Sequence, residues 1–298
     1  CCGMVTLVTY LPFYRIHEVN EYFMRNVELM RPRNAIIYID NVYHERQKEI
    51  ISRAIPNSVE VRLGNWRNRN NTWLAMLREF NSINDEVIVV DSDNVMDKSM
   101  PLIHEELRKY PLYSILDEEA WTTVPWKFLI RSRRIGGIVI NNEERPLYAY
   151  KVYDDAISNV FRGIRGPTFF IGPKQVIAFM KLPDIEIINK LERALNRVDP
   201  WLRSYISDET LLGIIAHLMG VVEVPWTVAS HHHHHGSTPN YANKLLVAMA
   251  HYQFSRSLIK EFNTWHFKKY AIKYAMSTFK NLREVFTLSY AKLVMNTR

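Results

Sequence analysis

Apolar residues in the first ninety positions of the sequence fall into two alternating patterns, short continuous runs and helix-spaced stripes. The runs are rich in β-branched residues and predict buried strands over 5–10, 35–39 and 87–90, and alternation of apolar and polar residues predicts a further strand over 59–63. Between them, helical spacing predicts helices over 17–30, 44–54 and 71–83. Strands that alternate with helices in this way indicate a parallel sheet covered by helices.

The rest of the chain is less regular. Its pattern predicts strands over 168–171 and 221–226, a helix near 174–180, and a long helix that begins near residue 208. The last sixty residues read as two or three helices. We therefore predict two domains, an α/β domain over 1–240 and a basic, aromatic-rich helical extension over 241–298.

Polar residues follow the predicted strands at the points where the strands end. They are Thr9 and Tyr10, Asp40 and Asn41, Gly64 and Asn65, and the run Asp91, Ser92 and Asp93. Open α/β sheets bind their ligands at the carboxyl ends of the strands. We therefore expect these side chains to surround one binding site.

The pair Asp91 and Asp93 is the strongest chemical signal in the sequence. Two carboxylates two residues apart, directly after a buried strand, can both reach a hard divalent cation that grips phosphate oxygens. A purely structural alternative is that Asp93 or Asn94 caps the helix that follows the strand.

Composition is that of an ordinary globular protein, with 47% apolar and 23% charged residues in a chain of 298. No run of 18 apolar residues is present, so we expect no membrane-spanning helix. The two cysteines are adjacent and the start lacks the features of a signal peptide. These observations lead us to expect a cytoplasmic protein without an intrachain disulfide.

The net charge of +7 comes from one end of the chain. Residues 241–298 contain ten of the 38 Lys and Arg residues but only two of the 31 Asp and Glu residues. Basic and aromatic positions alternate there, which suits either helices that pack on the protein or a peripheral contact with the inner face of an anionic membrane. We expect no nucleic-acid partner.

Three motifs together resemble the successive strand ends of GT-A glycosyltransferases. They are Val-Thr-Tyr at 8–10, Ile-Asp-Asn at 39–41 and Val-Asp-Ser-Asp at 90–93, and the stretch 64–71, rich in Asn and Arg, resembles a further family segment. The similarity is greatest to family two and its rhamnosyltransferase-like members, and it spans about residues 5–240. The sequence departs from the family at Val42 and Tyr43, where Gly-Ser is usual.

The resemblance implies a GT-A fold, a Rossmann-like mixed sheet flanked by helices, that uses a nucleotide-diphosphate sugar as donor. It also implies a divalent metal, Mn²⁺ or Mg²⁺, bound by Asp91, Asp93 and a late histidine of the run 231–235, for which His233 is our candidate. The donor residues that it implies are Thr9, Tyr10, Asp40, Asn68, Asp91 and Ser92. The run 231–235 could instead be a vector-derived tag, but its internal position argues against that origin.

Asp208 and Glu209 resemble the acidic pair of the family at the start of a helix. In inverting members one carboxylate of that pair removes the proton from the acceptor hydroxyl, and Asp208 fits this position better than Glu209. The alternative is that Ser207 caps the helix and both acids only favour its N-terminus. The acceptor stays open among glycan, lipid and protein.

Two other functions compete with glycosyl transfer. A nucleotidyltransferase can use a similar sheet and paired carboxylates, but the Gly-rich, basic loop expected after its first strand is replaced here by Leu11-Pro12-Phe13-Tyr14. A non-catalytic protein that binds a membrane or nucleic acid through its basic tail is the other alternative.

Overall fold

The structure is a computed structural model of the chain. It describes residues 4–66, 69–116, 133–149, 174–206, 222–225, 230–231 and 241–262, with the single positions 211, 214, 215, 219, 283 and 286–288. The chain divides into two compact units. One contains the described residues of 1–151, 172–183 and 219–234, and the other contains those of 152–171, 184–218 and 235–298.

The first unit is built on a mixed sheet. In the described part of the chain nine strands join in the order β3-β2-β1-β4-β9-β6-β10-β8-β7. They are β1 (Val5–Pro12), β2 (Asn34–Asp40), β3 (Glu60–Leu63), β4 (Glu86–Val90), β6 (Leu112–Leu116), β7 (Arg133–Ile140), β8 (Glu143–Ala149), β9 (Lys174–Phe179) and β10 (Val222–Pro225). A separate two-stranded ribbon joins β5 (Asn94–Val95) to β11 (Ser230–His231).

The four strands predicted in the first ninety residues are parallel neighbours, as expected from their alternation with helices. β1 pairs in parallel with β2 and β4, and β2 pairs in parallel with β3. The helices between and after them are α1 (Met24–Met30), α2 (Glu45–Ala54), α3 (Arg69–Phe80) and α4 (Met100–Leu107), with α1 preceded by a π-helical turn over Val19–Phe23. The predicted α/β class with a mixed sheet is confirmed.

The core of this unit lies on the central strands. In β4, for example, Val87, Ile88, Val89 and Val90 are all buried, so this strand is covered on both faces. Continuous apolar runs of this kind are typical of strands between two helical layers. Each fully buried Val or Ile side chain contributes about 1.5–3 kcal/mol relative to an exposed one.

The predicted helix near 174–180 is wrong. Lys174–Phe179 is the strand β9, which lies antiparallel between β4 and β6. Val176, Ile177, Ala178 and Phe179 are all buried. A short apolar run has no periodicity that separates a strand from a buried helix, and here the sheet positions on either side decide the outcome.

The second unit contains α5 (Ile185–Asn196) and α6 (Tyr241–Glu261), which pack against each other. Their facing stripes are apolar and buried, with Ile188, Leu191 and Leu195 on α5 and Phe254 and Leu258 on α6. Glu261 at the end of α6 accepts an ion pair from Arg193 at 2.9 Å and another from Arg197. Gln253 and the loop residue Asp199 exchange two hydrogen bonds of 2.9 and 2.7 Å.

The described part of the basic tail packs inward. Phe254 and Phe262 are buried, whereas Arg256 and Lys260 are exposed. Core packing, one of the two interpretations of the tail, therefore holds for this helix. None of the helices in the described part of the chain is long and apolar enough to cross a membrane.

We expect the second unit to lose stability in mild acid because of His251 on α6. Burial lowers the pKa of this imidazole to about 3, from an ordinary value of 6.5. The unfolded chain therefore binds a proton below pH 6.5 that the folded chain does not, so the free energy of unfolding falls as the pH falls from 6.5 towards 3. The loss reaches roughly 2 kcal/mol by pH 4.5.

Urea unfolding of wild type and His251→Gln between pH 7 and 4.5 measures this loss. We expect the variant to be less stable at pH 7 but to show a shallower pH dependence, while His17→Gln, at an exposed position, keeps the wild-type slope. Equal slopes in all three proteins would show that His251 does not cause the acid sensitivity.

Candidate functional site

The loop that follows β4 carries Asp91 and Asp93, and buried hydrogen bonds hold every second residue from 90 to 96. Thr9 Oγ1 on β1 donates to the Val90 carbonyl at 2.8 Å. Ser92 Oγ donates to Glu18 Oε2 at 2.6 Å. The two aspartates occupy the intervening positions. These contacts from Thr9 and Glu18 help to fix the backbone that carries both aspartates.

Asn26 on α1 makes the third and fourth of these contacts. Its Nδ2 donates to the Asn94 carbonyl at 2.8 Å, and its Oδ1 accepts from the Met96 N–H, also at 2.8 Å. Asn26 is fully buried. Its amide therefore pairs with β5 as a neighbouring strand would, and it satisfies the Asn94 carbonyl and the Met96 N–H.

The capping alternative for Asp93 is not what the structure shows. The loop continues into β5, and the next helix, α4, begins only at Met100 with Ser99 at its N-cap position. Asp93 forms an ion pair instead, with Arg15 Nη2 lying 3.2 Å from Asp93 Oδ2. The carboxylate of Asp93 therefore forms an ion pair and does not cap a helix.

Arg15 and Glu18 extend this ion pair into a network. Arg15 lies in the 3-10 turn Phe13–Arg15 directly after β1, and its Nε donates to Glu18 Oε1 at 2.7 Å. Glu18 is only 1% exposed and receives Arg15 on one oxygen and Ser92 on the other. Burial of a carboxylate is costly unless such partners compensate it. Glu18 thus joins the turn after β1 to the loop after β4.

The electrostatic environment of the network is negative. The pKa of the Tyr22 hydroxyl is raised above its usual value, first by its hydrogen bond to Glu21, next by desolvation, and to a smaller extent by the charges of Glu21, Glu18 and Asp93. A negative site at the carboxyl ends of parallel strands favours a cation. Hard carboxylate oxygens are the ligands that Mg²⁺ and Mn²⁺ prefer, so Asp91 and Asp93 fit the predicted metal chemically.

The histidine run begins beside this loop. In the two-stranded ribbon His231 lies opposite Asn94, and Ser230 lies opposite Val95. The residue that pairs with His231 directly follows Asp93 in the chain. Nothing in the sequence pattern predicted this pairing, which brings the start of the run 231–235 to the two aspartates. Among the described residues no three His, Cys, Asp or Glu side chains are grouped as a metal site.

Asp40, a predicted donor residue, is buried and organises the neighbouring strand ends. Its Oδ1 accepts from the Asn41 N–H at 2.7 Å and from the Trp66 N–H at 2.9 Å, and its Oδ2 accepts from Thr72 Oγ1 at 3.4 Å. Asn41 adopts a left-handed backbone with φ of 61°, which Asn tolerates better than most residues. Asp40 therefore holds together the ends of β2, β3 and the start of α3.

Gly64 is required by the side chain of Trp66. A Cβ added at Gly64 would overlap the indole ring of Trp66, so Gly64→Ala must displace the ring. We expect a loss of about 1–3 kcal/mol in the free energy of unfolding, measured in urea. In a Trp66→Ala background the same substitution should cost almost nothing, and an equal loss in both backgrounds would disprove the clash.

The other predicted site residues are placed as follows. Thr9 is fully buried, and its hydroxyl contact to Val90 gives it a role between two strand ends. Tyr10 is half-buried at the position of β1 that pairs with Tyr38. Asn68, Asp208, Glu209 and His233 lie outside the described residues, so their roles stay predictions. The same holds for the direct donor contacts of Thr9, Tyr10, Asp40, Asp91 and Ser92.

Three residues of the site escaped the sequence analysis, namely Arg15, Glu18 and Asn26. Each contacts a partner about 70 or more positions away in the chain, except for the local pair of Arg15 with Glu18. The sequence carried only a weak signal that these three residues belong to the site. Asn and Glu within a helical stripe are ordinarily exposed, so their burial here could have been inferred only from the strand pairing.

Comparisons with known proteins give matches in structure alone. No protein-family model matches the sequence, and no curated protein matches it. Among the similar solved structures is the mannosyltransferase PcManGT from Pyrobaculum calidifontis in complex with GDP-Man and Mn²⁺. It is 12% identical, with 97% of this chain and 75% of that chain covered and a TM-score of 0.47.

Two further structures represent the range of similar folds. TarS 1-349 of S. aureus in complex with UDP-GlcNAc is 9% identical, with coverages of 93% and 72% and a TM-score of 0.44. The 4-diphosphocytidyl-2C-methyl-D-erythritol synthase from Anaerococcus prevotii is 11% identical, with coverages of 83% and 95% and a TM-score of 0.41. A glycosyltransferase bound to its nucleotide sugar is thus among the structures that this chain resembles in fold.

Proposed function

We propose that the protein is a glycosyltransferase that moves a sugar from a nucleotide-diphosphate donor to an acceptor hydroxyl. The observation that supports this proposal is the loop after β4, which presents Asp91 and Asp93 from a backbone fixed at Val90, Ser92, Asn94 and Met96. A rigidly held pair of carboxylates at the carboxyl edge of a parallel sheet suits a cation that binds a diphosphate.

Asp91 and Asp93 would hold the divalent ion, Mn²⁺ or Mg²⁺, together with His233 and the oxygens of the donor diphosphate. When bound, the ion neutralises charge that develops on the departing nucleotide diphosphate. The β5–β11 pairing supports a histidine ligand, because it places the start of the run 231–235 beside the residue that follows Asp93. An imidazole among the ligands would favour Mn²⁺ over Mg²⁺.

The remaining steps belong to residues outside the described part of the chain. Asp208, with Glu209 as the second candidate, would take the proton from the acceptor hydroxyl as that oxygen attacks the anomeric carbon. The outcome would be inversion at that carbon. Asn68 would contribute to the donor site. The acceptor is proposed only as a hydroxyl of a glycan, lipid or protein.

The carboxyl end of β1 supports the competing nucleotidyltransferase function less well than it supports glycosyl transfer. β1 runs to Pro12 and continues directly into the 3-10 turn Phe13–Arg15, so no Gly-rich, basic loop follows it. The basic residue of the turn, Arg15, is paired with Glu18 and Asp93. The turn after β1 therefore lacks the glycines with which such a loop wraps the phosphates of a nucleoside triphosphate.

A screen of nucleotide sugars tests the proposal. Purified protein is incubated with UDP-, GDP- and dTDP-linked sugars, and the release of nucleoside diphosphate is measured with Mn²⁺, with Mg²⁺ and with EDTA. We expect slow metal-dependent hydrolysis of one donor, which EDTA abolishes. Formation of a nucleotide sugar from a nucleoside triphosphate and a sugar phosphate, with no hydrolysis in the screen, would establish the competing function instead.

A further inference from the structure

Arg15 lies at the edge of the candidate metal site, where its side chain contacts Asp93 and is partly exposed to solvent. Its guanidinium contacts Glu18 at 2.7 Å through Nε and Asp93 at 3.2 Å through Nη2. The side chain of Arg15 is 20% exposed, while those of Glu18 and Asp93 are 1% and 11% exposed. The guanidinium thus covers one carboxylate of the pair that would hold the cation.

The two contacts of Arg15 differ in what metal binding would do to them. Glu18 is held in place by Ser92 Oγ at 2.6 Å, so the Arg15–Glu18 contact anchors the base of the guanidinium. Asp93, by contrast, would have to serve both the guanidinium and a divalent cation. Two positive groups on one carboxylate repel each other, and the repulsion is strong where the surroundings are partly buried.

We infer that Arg15 is a counterion within the site, which neutralises Asp93 while the site is empty and pairs with the donor diphosphate once the cation is bound. This inference rests on the proposed function. Anchored on Glu18, Arg15 keeps its position while its outer nitrogen exchanges one anionic oxygen for another. Guanidinium suits this exchange, since its planar set of donors matches both carboxylate and phosphate oxygens.

A thermodynamic consequence follows from this arrangement. A cation without nucleotide must displace the outer nitrogen of Arg15 from Asp93 and offers it no anionic oxygen in exchange. Arg15 then keeps only its contact with Glu18, so the cation alone binds weakly. A cation together with a nucleoside diphosphate supplies that partner, so each ligand strengthens the binding of the other by the same factor. Arg15 therefore makes the site select the metal and the diphosphate as a pair.

Binding of Mn²⁺, followed by electron paramagnetic resonance, tests the inference independently of turnover. Mn²⁺ is titrated into wild type, Arg15→Gln and Arg15→Lys, first alone and then with the nucleoside diphosphate that the donor screen selects. Loss of Arg15 should strengthen binding of Mn²⁺ alone and weaken binding of the nucleotide at saturating Mn²⁺, each by about tenfold. Arg15→Lys keeps the charge and should lie between wild type and Arg15→Gln in both titrations.

Arg33→Gln is the matched control, because Arg33 pairs with Asp85 at 3.3 Å at the opposite ends of the strands. It should leave both affinities unchanged, and urea unfolding of each variant identifies any that fails to fold. If Arg15→Gln binds Mn²⁺ no more tightly than wild type, or binds the nucleotide equally well, the inference is wrong even though the proposed function stands. If wild type binds no nucleoside diphosphate in the presence of Mn²⁺, the proposed function fails first.

Discussion

Asp93→Asn is expected to reduce metal-dependent hydrolysis of the donor by at least about a hundredfold in kcat/KM. Asparagine keeps the size of the side chain but removes the charge that would hold the cation. It also removes the ion pair with Arg15 at 3.2 Å. A hundredfold loss corresponds to about 2.7 kcal/mol of transition-state stabilisation, within the several kcal/mol that a bound metal supplies. Asp91→Asn should have an effect of the same size.

The control for this prediction is Asp97→Asn in the same stretch of chain. The Asp97 carboxylate accepts a hydrogen bond from the Ser99 N–H at 2.8 Å, and an asparagine oxygen can accept it equally well. We expect nearly wild-type hydrolysis from this variant. Equal losses in Asp93→Asn and Asp97→Asn would mean that the region is sensitive to any substitution, and equal activity in all three proteins would exclude Asp93 from the metal site.

Asn26→Leu is expected to destabilise the protein by roughly 3 kcal/mol. The substitution keeps a similar volume but leaves the Asn94 carbonyl and the Met96 N–H without the amide that now satisfies both. A buried backbone group that loses its partner costs about 1–3 kcal/mol. Because the same contacts fix the loop that carries Asp91 and Asp93, affinity for the donor should also fall.

Asn20→Leu, on the helical segment that precedes α1, provides the comparison. Asn20 is exposed, and its Nδ2 donates to the Ala54 carbonyl at 2.6 Å, so its replacement should cost less than about 1 kcal/mol. Urea unfolding gives both values, and calorimetric titration of the donor gives the affinities. If the two variants were equally stable, the buried amide would have no special part in holding the loop.

The sequence was sufficient for the strands and helices of the first ninety residues because short β-branched runs alternate there with helix-spaced apolar stripes. Strands such as β2 and β4 are uninterrupted apolar runs, and the helices between them carry apolar stripes. The helix predicted near 174–180 is instead the strand β9, because its state depends on β4 and β6, which lie more than fifty positions away in the chain. Such long-range pairing has no local signature.

For the candidate site, the sequence indicated the charged pair but not the residues that hold it. Asp91 and Asp93 stand out because two charged side chains directly follow an uninterrupted apolar run. Glu18 and Asn26 do not, because their partners Ser92 and Asn94 lie 74 and 68 positions away. The contacts of Asp40 were also hidden, since they depend on how the loop after β3 folds back onto β2.

The most direct measurement of the central claim is calorimetric titration of wild-type protein with UDP, GDP and dTDP, each with and without Mn²⁺. We predict that one of the three nucleotides binds, that it binds only when Mn²⁺ is present, and that its identity matches the donor found by hydrolysis. Absence of binding by all three nucleotides under both conditions would contradict a nucleotide-sugar site at Asp91 and Asp93.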